Sequence, residues 1–127
     1  MSNSKPADRV VWCDIPVADL ERASAFYRGV LAVKVEATAF EGMSFAILEH
    51  DNGTGGCLIP QAGYAGCADG PLVYLNVAGR IRDAVAQVAK LGGKVARDVH
   101  AIGPHGFCAI VFDSEGNRVA LHSTSDQ

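Results

Sequence analysis

The sequence has no apolar run near the roughly 18 residues a membrane-spanning helix needs, which excludes a helical membrane span. It lacks any cluster of basic residues. With 11 Lys and Arg against 14 Asp and Glu, the formal charge is −3, and the electrostatic footprint of a nucleic-acid binder is missing. No Cys-x-x-Cys pair occurs: Cys13, Cys57, Cys67 and Cys108 stand 44, 10 and 41 residues apart, which excludes a zinc knuckle or a thioredoxin-type motif. The polar start MSNSKPADR carries no apolar stretch behind a basic one, so no secretory signal is expected there. The expectation is a cytoplasmic protein with four reduced thiols. What remains is an ordinary globular composition, 49% apolar and 20% charged over 127 residues. It excludes disorder and suits one domain with its own core.

The chain repeats itself. Shifted by 60, VADLERASAFYRGVLAVKV (17–35) lies over VAGRIRDAVAQVAKLGGKV (77–95), with identities at Val17/Val77, Ala18/Ala78, Arg22/Arg82, Leu31/Leu91, Lys34/Lys94 and Val35/Val95. Farther on the offset becomes 63 and pairs Ala46 with Ala109, Ile47 with Ile110 and Gly53 with Gly116. One long period occurring twice is no solenoid; it points to two copies of one supersecondary unit.

Each copy reads β-α-β-β-β. Residues 10–17 suit a strand, and Asp19 can cap a helix whose apolar stripe is Leu20, Ala23, Phe26, Tyr27 and Val30. Strands follow at 33–39, 43–49 and 55–60, broken by turn-forming residues. The second copy predicts strand 72–77, helix 80–91 with Gly92-Gly93 as its stop, and strands 94–99, 107–113 and 118–123. Asp113-Ser114-Glu115-Gly116-Asn117 is a hairpin signal. The expected organisation is a disordered tail at 1–9 and one domain at 10–124. That domain holds module 10–60 and module 72–124, joined by the linker 61–71.

The motifs VADLERASAFYRGVL, LGGKV (91–95) and FDSEGNRVAL (112–121) resemble the vicinal oxygen chelate superfamily, which includes glyoxalase I, bleomycin-resistance proteins and extradiol dioxygenases. The resemblance spans about residues 9–124. It implies an α+β fold in which two βαβββ modules with curved mixed sheets form a cup that receives a ligand. It also implies a homodimer, because related proteins complete or bury their cups by pairing chains. Metal-dependent relatives place ligands on the first and last strands of each module, positions that fall here at Trp12, Cys57, Leu72 and Ala120. One thiol in an otherwise apolar set cannot hold a divalent ion, so no metal and no cofactor are expected.

Strand parity tells which side chains share the cup face with those positions. They are Trp12, Asp14 and Pro16 on the first strand, Leu72, Tyr74 and Asn76 on the fifth, and Arg118, Ala120 and His122 on the last. Val11, Cys13, Ile15 and Val17 take the opposite face, under the helix. Trp12, Asp14, Tyr74, Asn76, Arg118 and His122 are therefore the candidate ligand-binding residues. Asp14 and His122 are the candidates for proton transfer, Arg118 for holding a carboxylate or phosphate, and Trp12 and Tyr74 for stacking. The alternative is scaffolding, with Asp14 and Arg118 in a salt bridge and His122 in solvent. His100 and His105 flank AIGP in a loop at the cup's rim, and His50 is expected to be solvated. Cys57 and Cys108 read as buried small apolar residues, since a reactive thiol needs an activating neighbour.

Three functional readings follow. The first is a metal-independent protein of the glyoxalase/bleomycin-resistance type that binds a small organic molecule. The second is a metal-independent lyase or isomerase using Asp14 or His122, and the third is a structural or interaction protein.

Overall fold

The computed structural model of the chain describes residues 9–127. The expected tail therefore lies, apart from Arg9, outside the described residues. In β1 (Trp12–Val17), Cys13, Ile15 and Val17 turn toward the core while Trp12, Asp14 and Pro16 take the other face. Pro16 lacks an N–H and sits in an edge strand, where a sheet tolerates it. Val11 does not pack under the helix; it is 74% exposed. Its partner strand, β4 (Gly55–Pro60), begins opposite Trp12 and offers nothing for Val11 to pair with.

Helix α1 (Leu20–Leu31) starts where expected: Asp19 Oδ1 accepts the Arg22 backbone N–H at 3.0 Å. Its stripe is buried at Ala23, Phe26, Tyr27 and Val30. Strands β2 (Val35–Phe40) and β3 (Met43–Leu48) complete a sheet of order β1-β4-β3-β2, in which only β1 and β4 run parallel.

The second unit repeats the plan with β5 (Val73–Asn76), α2 (Ile81–Lys90), β6 (Lys94–Ala101), β7 (Phe107–Phe112) and β8 (Arg118–Ser123), in the order β5-β8-β7-β6. The chain is thus α+β, two βαβββ units with mixed sheets. β6 reaches Ala101, past its expected end, because two register shifts lengthen it, and this puts His100 in a strand rather than a loop.

One hydrophobic core joins the units: Phe26, Tyr27, Val30 and Leu58 of the first pack with Ile81, Val88, Val111 and Leu121 of the second. Helices α1 and α2 meet each other directly. Gly93 permits a close approach behind them, since a Cβ there would stand 2.5 Å from the Phe112 carbonyl oxygen and 2.6 Å from the Phe26 ring.

The hairpin turn 113–117 fastens the second unit to the first. Glu115 Oε1 accepts the backbone N–H groups of Ala18 (3.0 Å) and Asp19 (2.9 Å), and Arg22 donates to both carboxylate oxygens at 2.7 and 2.9 Å. A carboxylate thus sits against the N-terminal end of α1, where unpaired N–H groups favour negative charge. Burial disfavours the charged Glu115, but hydrogen bonds from Arg22, the Asp19 amide and Ser114 outweigh it and hold the carboxyl at about 2. Asp113 accepts from the Tyr27 hydroxyl at 2.6 Å and from the backbone N–H groups of Glu115 and Asn117 at 2.8 Å each. Asn117 Nδ2 donates to the Pro16 carbonyl at 2.9 Å.

Candidate functional site

The helices cover one face of each sheet, and the other faces carry the candidate residues. Cross-strand partners point the same way. The pairs Asp14–Cys57, Ile47–Cys57 and Phe40–Met43 therefore place Trp12, Asp14, Phe40, Met43 and Ile47 together on the open face of the first sheet. Tyr74–Ala120 and Asn76–His122 do the same in the second. Large apolar groups on these faces stand in the open: Trp12 is 40%, Phe40 66% and Tyr74 54% exposed.

A groove of about 560 Å³ runs between the two units. Trp12, Cys13, Leu48 and His50 line it from one side and Leu72, Tyr74, Leu75 and Asn76 from the other. A neighbouring recess of about 590 Å³ is lined by Tyr74, Leu75, Asn76, Ile102, His105 and His122. Tyr74, Leu75 and Asn76 form the wall shared by both.

The structure therefore brings Trp12, Tyr74 and Asn76 to one groove and sets His122 next door. Asp14 and Arg118 line neither hollow. They form no ion pair with each other among the described residues. Asp14 Oδ1 instead accepts the Cys57 thiol at 3.2 Å, and Arg118 Nη2 donates to the Gly70 carbonyl at 3.2 Å. His122 is half-buried rather than frayed; its Nε2 lies 2.7 Å from the His105 carbonyl oxygen. A carbonyl only accepts, so Nε2 carries the proton and the neutral ring keeps Nδ1 as an acceptor.

Two groove residues escape the reading of alternation. His50, though exposed, does not simply project into solvent. Its ring lies over Gly55, where a Cβ would meet it at 2.5 Å, and it meets the Trp12 indole edge-on with centroids 5.6 Å apart. The available signal was the 63-residue offset, which sets His50 over Asp113, another residue that turns back from a hairpin. Cys13 reaches the groove from the helix-facing side of β1, and burial, with the Asp14 charge second, pushes its thiol up. Burial also raises the Cys57 thiol, as does the bond to Asp14, against a lowering contact from Trp12.

Residues 9–50 match the family described as bleomycin resistance protein-like N-terminal. Among solved structures, a glyoxalase/bleomycin resistance protein from Albidiferax ferrireducens T118 superposes with a TM-score of 0.69 at 15% identity, over 91% of this chain and 98% of that one. The fold is that of the vicinal oxygen chelate superfamily. A glyoxalase-related enzyme from Fulvimarina pelagi gives a TM-score of 0.65 at 14% identity, over 91% of this chain and 87% of the other. Glyoxalase I from Zea mays gives 0.69 at 23% identity over 89% of this chain, which spans 45% of the maize protein. No curated protein matches the sequence.

The ladder register tests the metal positions of a vicinal oxygen chelate fold. Tyr74 pairs with Ala120 as Asp14 pairs with Cys57, which makes Cys57 the counterpart of Ala120. Trp12, Cys57, Leu72 and Ala120 then offer a single donor, too few for any divalent ion. Among the described residues, no three His, Cys, Asp or Glu side chains gather closely enough to share an ion. These residues do not fit the metal of the fold's metal-dependent members. No described helix is long and apolar enough to cross a membrane.

Proposed function

We propose that this chain binds a small organic molecule in the groove between its two units, without a metal, with Trp12 and Tyr74 as the aromatic contacts and Asn76 as a polar one. The observation that carries this reading is the groove itself: about 560 Å³, apolar along most of its length, with an indole on one wall and a phenol on the other. Such volume, with few polar groups among apolar walls, is the usual form of a small-molecule site. The unsuited donor set at the four ligand positions supports the metal-free reading, and four free thiols suit a reducing, cytoplasmic setting.

The same reading includes a homodimer. Phe40, Met43 and Ile47 form an exposed apolar strip on the open face of the first sheet. The open face of the second sheet carries Lys94, Arg97 and Arg118, against Glu36 and Asp14 on the first. A second copy related by a two-fold axis covers apolar surface and sets opposite charges face to face.

A second reading, a lyase or isomerase, is favoured by His122, whose Nδ1 is left as a proton acceptor beside the recess. A thermal-shift screen against aromatic, carboxylated and thiol-conjugated metabolites tests the binding claim, since a ligand raises the melting temperature by mass action. Hits that weaken with Tyr74→Ala support the binder. A hit consumed by the wild type and only bound by His122→Gln supports the enzyme. A screen without hits contradicts both and leaves a structural or interaction protein.

A further inference from the structure

The two halves of the chain differ in length by three residues, the change in offset from 60 to 63. The difference falls in β6 and the turn after it, where β2 and its tight turn have no counterpart of the same length. Lys94 pairs with Phe112 and Val95 with Val111, but the ladder then skips to Arg97–Ile110 and again to His100–Cys108. An unbroken ladder would set Asp98 opposite Cys108. Two inserted residues set His100 there instead, and bulges of this kind re-aim side chains next to functional sites.

The bulge also orients the imidazole. His100 Nδ1 lies 2.8 Å from the Asp98 carbonyl oxygen, while Asp98 Oδ1 accepts the Val99 N–H at 2.7 Å. A carbonyl cannot donate, so Nδ1 carries the proton and Nε2 offers its lone pair. That nitrogen stands 3.4 Å from Cys108 Sγ. Among the described residues no other thiol is hydrogen-bonded to an imidazole: Cys57 meets the Asp14 carboxylate and Cys67 the Asp69 carbonyl. Across the sheet Cys108 pairs with His122, which lines the 590 Å³ recess.

We infer that Cys108 and His100 form a thiol–imidazole pair that captures small α,β-unsaturated carbonyl compounds. The thiol proton passes to His100 Nε2 as sulfur bonds to the β-carbon of the compound. The π pair of the carbon–carbon double bond moves toward the carbonyl as an enolate. The imidazolium then returns its proton to the α-carbon. The sum is an addition that needs no oxidant and releases no leaving group; the adjacent base activates the nucleophile.

Acrylamide, the smallest α,β-unsaturated amide, is the probe, and the thiol it must reach is 2% exposed. The native chain is incubated with it at neutral pH, and adducts are timed by intact mass and located by peptide mapping. Cys57 is the internal control, being nearly as buried but without an imidazole. The expected result is modification of Cys108 at least about tenfold faster than Cys57, with that rate reduced at least about tenfold in a folded His100→Gln variant, the scale of a lost general base. A Cys108 rate no greater than that of Cys57 overturns the inference without any variant. So does an unchanged rate in His100→Gln.

Discussion

Trp12 is the chain's single tryptophan and lines the groove, so its emission reports on that place alone. Tyr74 faces it across the groove, and its truncation to alanine removes an aromatic contact without touching the core, because Tyr74 is half exposed. We predict that Tyr74→Ala weakens ligand binding by about tenfold, the scale of an aromatic contact at a binding site, with little change in melting temperature. Isothermal titration with a hit from the thermal-shift screen, on both forms, measures this. Parity made Trp12, Tyr74 and Asn76 legible, because alternation is a property of the strand itself. It could not place His50, whose ring reaches Gly55 and Trp12 through the backward course of a turn, and turns have no periodicity. Nor could it pair Asp14 with Cys57, which depends on the register of a strand more than forty residues away.

The turn 113–117 acts as an element rather than as a set of residues. Glu115 spans to the first turn of α1, so its charge couples two units that share a core. Its carboxyl titrates at about 2 in the folded chain against an ordinary 4.5. A depressed folded value means the stabilisation is complete above about 4.5 and is lost as the pH falls toward 2. Glu115→Gln therefore lowers the neutral-pH melting temperature by about 5 °C or more and flattens the acid limb between those two pH values. Circular dichroism of both forms from pH 7 to 2 checks it; superimposable acid limbs contradict the role given to Glu115. Gly93→Ala is predicted to cost about 1–3 kcal/mol by overpacking, because the obstacle to its Cβ is the Phe112 backbone carbonyl, which cannot swing aside. Chemical denaturation measures that cost. The capped start of α1 and the glycine stop of α2 were readable in the sequence because caps are local. The bulges of β6 were not, since a bulge exists only relative to the strand it pairs with.

At the scale of the whole molecule, the duplication predicted the architecture well because each half carries the same apolar pattern and the same stops. What a single chain's pattern leaves open is the use of the outer sheet faces, where Phe40 and Met43 stand in water. We predict sedimentation at twice the 13.3 kDa chain mass, and a monomer for Ile47→Glu, which sets a charge in the apolar strip. Ligand binding in the groove between the units is measured by titrating the protein with 1-aminoanthracene, a flat, largely apolar probe, while following energy transfer from Trp12. The expected result is saturable transfer at one site per chain, weakened about tenfold in Tyr74→Ala. Transfer that never saturates, or that is indifferent to Tyr74, would contradict it.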